Sequence, residues 1–170
     1  MTRTSIRSYT SQAIPADTIE ILLKAGMAAP TAVNAQPWHF IVIRDRGILS
    51  SLSLASQHTG LLANAPLAIA VCGDLQKKAQ VEEGIYWSHD ACAATENILL
   101  AAHALGLGAV WTGVYPAMER TAEVANVLNC PNNIVPLAVV RVGYPDEFPE
   151  PKNKFKEENI SYNKFGGKKQ

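Results

Sequence analysis

Two short polar segments of this chain carry residue types that could hold a flat, anionic, hydrogen-bonding ligand. The first, Arg3-Thr4-Ser5-Ile6-Arg7, places two guanidinium groups and two hydroxyls within five residues. In an extended arm alternate side chains point the same way, so Arg3, Ser5 and Arg7 would line one face. Arg3 could then clamp a phosphate bidentately, and Ser5 could bond a neighbouring oxygen. An ordinary basic, mobile N-terminus is the alternative explanation.

The second segment, Ala29–Trp38, is a polar loop with two prolines that ends a helix and opens an apolar strand. Thr31, Asn34 and Gln36 supply donors and acceptors, and the prolines restrict the backbone between them. Trp38 is better explained as a core residue, because it opens a strand whose other residues are apolar. The loop, like the arm, therefore predicts a contact with a polar ligand.

The arm and the loop, in this order and at this separation, resemble the R-x-S-x-R and A-P-[ST]-x-x-N-x-Q-P-W motifs of the nitroreductase family. These are FMN-dependent NAD(P)H oxidoreductases. The resemblance implies that Arg3, Thr4 and Ser5 bind the cofactor, and that Arg7 lies further along it, near the pyrimidine edge of the flavin. It also implies that the loop reaches the flavin from the neighbouring protomer, through the cofactor-binding residues Pro30, Thr31, Asn34 and Gln36.

Two later segments extend this resemblance. A glycine-rich segment in the second half of the chain lacks G-x-G-x-x-G after a strand, which disfavours a dinucleotide-binding fold. The resemblance instead places Thr112 and Gly113 beside the N5–O4 edge of the flavin, where a backbone N–H can tune hydride acceptance. Glu150–Phe155 is similar to the P-x-[KR]-x-[KR]-[FW] tail element of short family members, so Lys152 and Lys154 would complete the neutralisation of the phosphate. A solvated basic tail is the alternative.

Composition favours a globular protein that binds neither nucleic acid nor membrane. The 170 residues are 48% apolar and 18% charged, and 15 basic residues balance 15 acidic ones. No global field therefore attracts an anionic polymer or surface. There is no apolar signal segment and no uninterrupted apolar run of membrane-spanning length, which predicts a cytoplasmic protein.

Cys72, Cys92 and Cys130 show no C-x-x-C spacing and are expected to be buried free thiols. No clustered His/Cys metal set exists, and His58 is a further candidate for the pyrimidine edge.

Helical and strand patterns alternate along the chain, which predicts a layered α+β or α/β domain. The resemblance implies the α+β form, with a central, mainly antiparallel sheet flanked by helices. Pro15 opens the first helix, and Pro136 is expected to interrupt the last strand in part. The predicted helices cover residues 16–29, 47–63 (one or two short helices), 84–105 and 118–128, and the predicted strands cover 40–43, 67–72, 108–111 and 134–142.

Two features predict that the chain forms a homodimer. The helix over 84–105 carries small residues at helical spacing that let another helix approach closely, and it resembles the long dimer helix of nitroreductases. The polar tail, residues 146–170, contains aromatic side chains that it cannot bury by itself, so it is expected to wrap the partner subunit. The small-residue face comprises Ala91, Ala94, Ile98, Ala101 and Leu105.

The resemblance covers nearly the whole chain, so residues 1–170 are expected to form a single FMN-binding domain. It implies an interlocked homodimer with an exchanged tail, FMN in the interface, and ping-pong hydride transfer from NADH or NADPH through flavin N5 to a nitroaromatic or quinone. No side chain is assigned a catalytic role. The short stretch between Asp74 and Tyr86 predicts an open pocket without a lid. A non-enzymatic FMN-binding or sensing dimer is the alternative, and a flavin-free scaffold is a third.

Overall fold

The structure is a computed structural model that describes residues 2–55, 62–79 and 84–169. These residues form four helices and four strands, and short 3-10 turns occur between some of them and in the tail. The helices are α1 (Ala16–Met27), α2 (Arg46–Leu54), α3 (Tyr86–Ala104) and α4 (Met118–Val127), and the strands are β1 (Trp38–Ile43), β2 (Leu67–Asp74), β3 (Gly108–Gly113) and β4 (Ile134–Gly143).

The four strands form one sheet in the order β1-β2-β4-β3, and every neighbouring pair is antiparallel. Every residue of β2 is buried. A strand that is buried on both faces has a continuous run of apolar residues. For this reason the sequence alone predicted a strand over residues 67–72. The predicted α+β class, with an antiparallel sheet flanked by helices, is confirmed.

Helices cover both faces of the sheet. On one face α1 and α3 pack against the sheet around Leu22 and Ile98, both fully buried. On the other face α2 and α4 contribute Leu49 and Val124 to a second cluster. Each helix therefore buries one apolar stripe against the sheet, as an amphipathic helix requires.

The small-residue face of α3 packs inside the chain. Ala91, Ala94 and Ile98 are fully buried within the single chain, where α3 contacts both α1 and the sheet. A Cβ added at Gly26 of α1 would come within 3.1 Å of the Ile98 side chain, so the two helices approach closely at that point. The expectation that this face meets a helix of another subunit is therefore wrong for its buried part, because the same chain already covers it.

Two smaller expectations also need correction. Pro136 does not interrupt β4, because it lies opposite Cys72 at the register shift between Val71 and Cys72. A proline, which has no N–H to donate, is tolerated at such an irregularity. All three cysteines are free as expected, but only Cys72 is buried; Cys92 is exposed on α3, and Cys130 is half-buried.

None of the helices within the described ranges is long and apolar enough to cross a membrane. His58 lies outside the described residues.

Candidate cofactor site

The N-terminal arm (residues 3–7) is extended and docks beside β3. The Ile6 N–H donates to the Ala109 carbonyl at 3.1 Å, and the Ile6 side chain is buried. A Cβ at Gly108 would lie 2.6 Å from Ile6, so only glycine lets the arm approach this closely. Because Ile6 points inward, its odd-numbered neighbours point away from the core.

Tyr9 fixes the end of the arm against the next strand. A Cβ at Gly143, which pairs with Gly108 across the sheet, would lie 2.7 Å from the Tyr9 ring. The Tyr9 hydroxyl donates to the Ile6 carbonyl. Burial raises the pKa of Tyr9 above its usual value, so the hydroxyl remains a donor at neutral pH. The two facing glycines thus form the notch in which the arm is held.

The arm and the start of the tail enclose a cavity of about 370 Å³, which we call the cationic cavity. It contains all four predicted residues of the arm and both predicted lysines of the tail. Four cationic and two acidic side chains line it, leaving an excess of two positive charges. The lining residues are Arg3, Thr4, Ser5, Arg7, Glu147, Pro149, Glu150, Lys152 and Lys154.

Glu147 connects the tail to the arm through hydrogen bonds with the backbone. One carboxylate oxygen accepts hydrogen bonds from the backbone N–H groups of Arg7 and Ser8. The hydrogen bond from the Arg7 N–H holds the pKa of Glu147 below its usual value. Burial opposes this effect, and the Ser8 hydrogen bond and the Arg7 charge add to it. No ion pair among the described residues engages Arg7, Lys152 or Lys154.

A second cavity, of about 400 Å³, adjoins the end of β3, and we call it the Thr112 cavity. Arg7 lines both cavities, so the two adjoin at this side chain. Arg120 of α4 also lines it and donates from Nη1 to the Gly113 carbonyl at 2.9 Å. The sequence analysis missed Arg120, whose only signal is its place in the first turn of a helix just after the glycine-rich segment. The lining residues are Arg7, Val110, Trp111, Thr112, Gly113 and Arg120.

The loop over residues 30–37 has an unusual backbone. Val33, Asn34 and Gln36 have positive φ angles of 47°, 56° and 48°. Such values are uncommon outside glycine and strained for a β-branched residue, and they cluster at functional sites. The Gln36 backbone N–H donates to Thr31 Oγ1 at 3.1 Å, and Gln36 Nε2 donates to Asn34 Oδ1 at 2.9 Å.

Asp90 of α3 anchors this loop. Its Oδ1 accepts from the Ala32 N–H at 3.0 Å, and its Oδ2 is buried without a partner among the described residues. The predicted loop residues line neither cavity of the same chain. Their contact with a ligand in this site, expected from the neighbouring protomer, stays a prediction. The residues concerned are Pro30, Thr31, Asn34 and Gln36.

The arrangement can hold a ligand with a doubly charged end and a flat body. Arginine forks and lysine ammonium groups are the usual partners of phosphate, and they gather at one end of the site. The other end offers the buried Thr112 and the backbone of a strand terminus. No group of three or more potential metal-ligating side chains occurs in the described ranges 2–55, 62–79 and 84–169. The arrangement is therefore suited to binding and orienting such a ligand.

Comparisons with known proteins identify the family of the chain. The family described as the nitroreductase family matches residues 1–58 and 56–144. A protein of Archaeoglobus fulgidus, provisionally named an NADH dehydrogenase/NAD(P)H nitroreductase, is 46% identical over 167 residues, which cover 96% of this chain and 95% of that protein. The chain therefore belongs to the nitroreductase family.

Solved structures show the same fold. An FMN-dependent nitroreductase from Clostridium difficile R20291 superposes with a TM-score of 0.87 at 30% identity, covering 96% of each chain. A provisionally named nitroreductase from Desulfovibrio desulfuricans, solved in complex with FMN, superposes with a TM-score of 0.80 at 31% identity, covering 96% of this chain and 93% of that one. The nitroreductase-like fold predicted from the motifs is confirmed.

Proposed function

We propose that the protein is an FMN-dependent oxidoreductase that takes hydride from NADH or NADPH and reduces a small oxidised acceptor such as a nitroaromatic or a quinone. The observation that carries the proposal is the pair of cavities joined at Arg7, one cationic and one bordered by Thr112 and Gly113. FMN has the matching shape, with a phosphate at one end and a flat ring at the other. The names of the relatives support the same activity.

Each residue of the site has a role in binding or orientation. Arg3, Lys152 and Lys154 neutralise the phosphate, and the hydroxyls of Thr4 and Ser5 bond its oxygens or those of the ribityl chain. FMN supplies the redox chemistry, by accepting hydride at N5 and returning two electrons to the acceptor in a ping-pong sequence.

The strand end positions the ring of the cofactor. Thr112 and Gly113 present the backbone to the N5–O4 edge, and Arg120 holds the Gly113 carbonyl in place. A backbone fixed in this way can bond the flavin without an ionisable side chain. Reduction and reoxidation then depend on the position and electrostatics of the ring.

We also propose that the working form is an interlocked homodimer with FMN in the interface. Phe148 and Phe155 are 85% and 67% exposed, and Phe165 is fully exposed. Apolar side chains exposed in one segment indicate a surface that another chain covers. A partner would also bring the 30–37 loop to the site. We place this single-domain dimer in the cytoplasm, where its three free cysteines would stay reduced.

The purified protein tests the function directly. We expect a flavin spectrum, release of FMN alone on heating, and rapid bleaching of the bound flavin when NADH or NADPH is mixed anaerobically. Addition of a nitroaromatic or quinone should restore the spectrum. FAD as the sole cofactor would contradict the assignment. Bound FMN that neither pyridine nucleotide reduces within minutes would favour the alternative, a non-enzymatic FMN-binding or sensing dimer.

A further inference from the structure

Arg141, near the end of β4, is a buried cation without a carboxylate partner among the described residues. It is only 4% exposed, and its Nε and Nη1 atoms are buried with no hydrogen-bond partner in those parts of the chain. Burial lowers the pKa of Arg141; to a smaller extent Tyr9 raises it and the charge of Arg7 lowers it further. An arginine nevertheless stays protonated at neutral pH, so this position holds a permanent positive charge.

Packing does not explain an arginine here. The cross-strand neighbours of Arg141 are Ala68 on β2 and Val110 on β3, and both are buried apolar residues. An apolar side chain would fill the same space without the cost of removing a charge from water. A buried charge that persists without a partner is typical of functional sites, where a ligand supplies the opposite charge.

The position of Arg141 indicates which ligand that is. Val110, its partner across the sheet, lines the Thr112 cavity together with Arg7. Thr112 pairs with Val139, two residues from Arg141 on the same strand, so all four side chains share one face of the sheet. Arg7 is close enough to exert an electrostatic effect on Arg141. Arg141 therefore lies one strand behind the wall of the cavity in which the flavin ring is proposed to sit, although its side chain does not itself line that cavity.

We propose that Arg141 is a buried counter-cation that stabilises the negative charge on the pyrimidine ring of the reduced flavin. This inference rests on the proposed function. Hydride brings two electrons and one proton, so the flavin gains one negative charge when it accepts hydride from NAD(P)H. Arg7 is exposed and its field is screened by salt, whereas the field of the buried Arg141 is screened much less. Arg141 therefore sets a preference for reduced over oxidised cofactor that salt does not remove.

Two neutral variants and one charged variant test this. Arg141→Gln and Arg141→Met remove the charge, Arg141→Lys keeps it, and Arg44→Gln removes an exposed arginine after β1 as a control. In the neutral variants we expect the ratio of affinities for reduced and oxidised FMN to fall about tenfold. This equals a decrease of about 30 mV in the two-electron potential. Potentiometric titration should give nearly the same loss at about 0.05 M and about 0.5 M salt. Arg141→Lys should recover part of the loss, and Arg44→Gln should match the parent.

Thermal unfolding without FMN separates this role from a structural one. A structural arginine would destabilise the fold when replaced, whereas removal of an unpaired buried charge leaves the FMN-free protein at least as stable as the parent. Parent-like potentials in the neutral variants would overturn the proposal. An equal loss of affinity for oxidised and reduced FMN, together with a lower melting temperature, would also overturn it. Failure of both neutral variants to fold would do the same. A parent protein that binds no flavin would instead refute the proposed function itself.

Discussion

Arg3 and Arg7 lie four residues apart on one face of the arm, yet they border different parts of the site. Of the two cavities, Arg3 lines only the cationic one. Its Nε atom is 3.8 Å from Glu96 Oε1. Arg7 lines both cavities and makes no ion pair among the described residues. The two guanidinium groups should therefore differ in what they do for a bound cofactor.

Replacing each arginine separately should expose that difference. Arg3→Ala should weaken FMN binding with little change in potential, because it removes a phosphate contact that both redox forms share. Arg7→Ala should lower the potential of bound FMN by tens of millivolts. A unit charge ~4 Å from the anionic flavin ring interacts with it by about 4 kcal/mol at an effective dielectric near 20. The exposure of Arg7 to solvent reduces this energy and hence the change in potential. Potentiometric titration of both FMN-saturated variants measures the effect.

The same titration can refute the placement of the arm. Equal potentials in the parent and in Arg7→Ala would mean that Arg7 does not face the pyrimidine edge. Arg44→Ala, at an exposed position after β1, is the matched control for loss of an arginine and should match the parent in both affinity and potential.

Sequence motifs found the residues of the site whose types and spacing are distinctive. Arg3 and Ser5 could be predicted to share one ligand because alternate residues of an extended segment share a face. Lys152 was predicted to join them because of the resemblance of the tail to the family's motif. Arg120 and Arg141 could not be found in this way. Whether an arginine is buried and unpaired depends on which elements pack around it, and the local sequence does not contain that information.

At the scale of elements, the arm depends on its connection to the tail through Glu147. Glu147→Gln should lower the melting temperature at neutral pH, because an amide oxygen accepts the two backbone N–H groups more weakly than a carboxylate does. The pKa of Glu147 is lowered in the folded protein. Its stabilising effect is therefore complete above the unfolded-state pKa of about 4.3, and it is lost as the pH falls through the lower folded-state value.

Thermal melts across this pH range measure that effect as the difference in melting temperature between the parent and Glu147→Gln. This difference should become smaller in acid. Glu150→Gln is a suitable control, because Glu150 lines the same cavity but is exposed. A difference between the parent and Glu147→Gln that is constant down to about pH 3 would show that the carboxylate does not hold the arm.

Helical periodicity predicted the elements better than it predicted their partners. It located α1 and α3 to within a few residues because their apolar residues recur at helical spacing. It could not show that Ala91 and Ala94 are buried by their own chain rather than by another subunit, since a pattern reports which face is buried and not what buries it. Pro136 shows the same limit, because its tolerance depends on the irregular pairing with β2.

At the scale of the whole molecule, the tail is the segment that a single chain leaves uncovered. Every described residue from Phe148 to Gly166 is exposed. Truncation after Asp146 should therefore weaken the dimer and FMN binding together, because it removes both the apolar surface for the partner and the two cavity lysines. Sedimentation at low concentration, with the flavin absorbance followed in the same run, measures both.

A double variant separates the two effects of the truncation. Lys152→Ala with Lys154→Ala should lose FMN affinity and keep the dimer, because the aromatic side chains of the tail remain. A truncated protein that stays dimeric and yellow would show that the tail does not wrap the partner subunit.

The hydrogen bond between Arg7 and Glu147 joins residues 140 positions apart in the chain. We expect contacts of such separation to form late in folding, because bringing the two segments together costs loop-closure entropy before their contacts repay it. A ligand that needs both segments therefore finds its site only after the sheet is complete, and it cannot accelerate the folding of a new chain. It acts afterwards by slowing the unfolding of chains that have already folded. In the cell, the supply of FMN would accordingly set how long each molecule survives, and not how quickly new molecules mature.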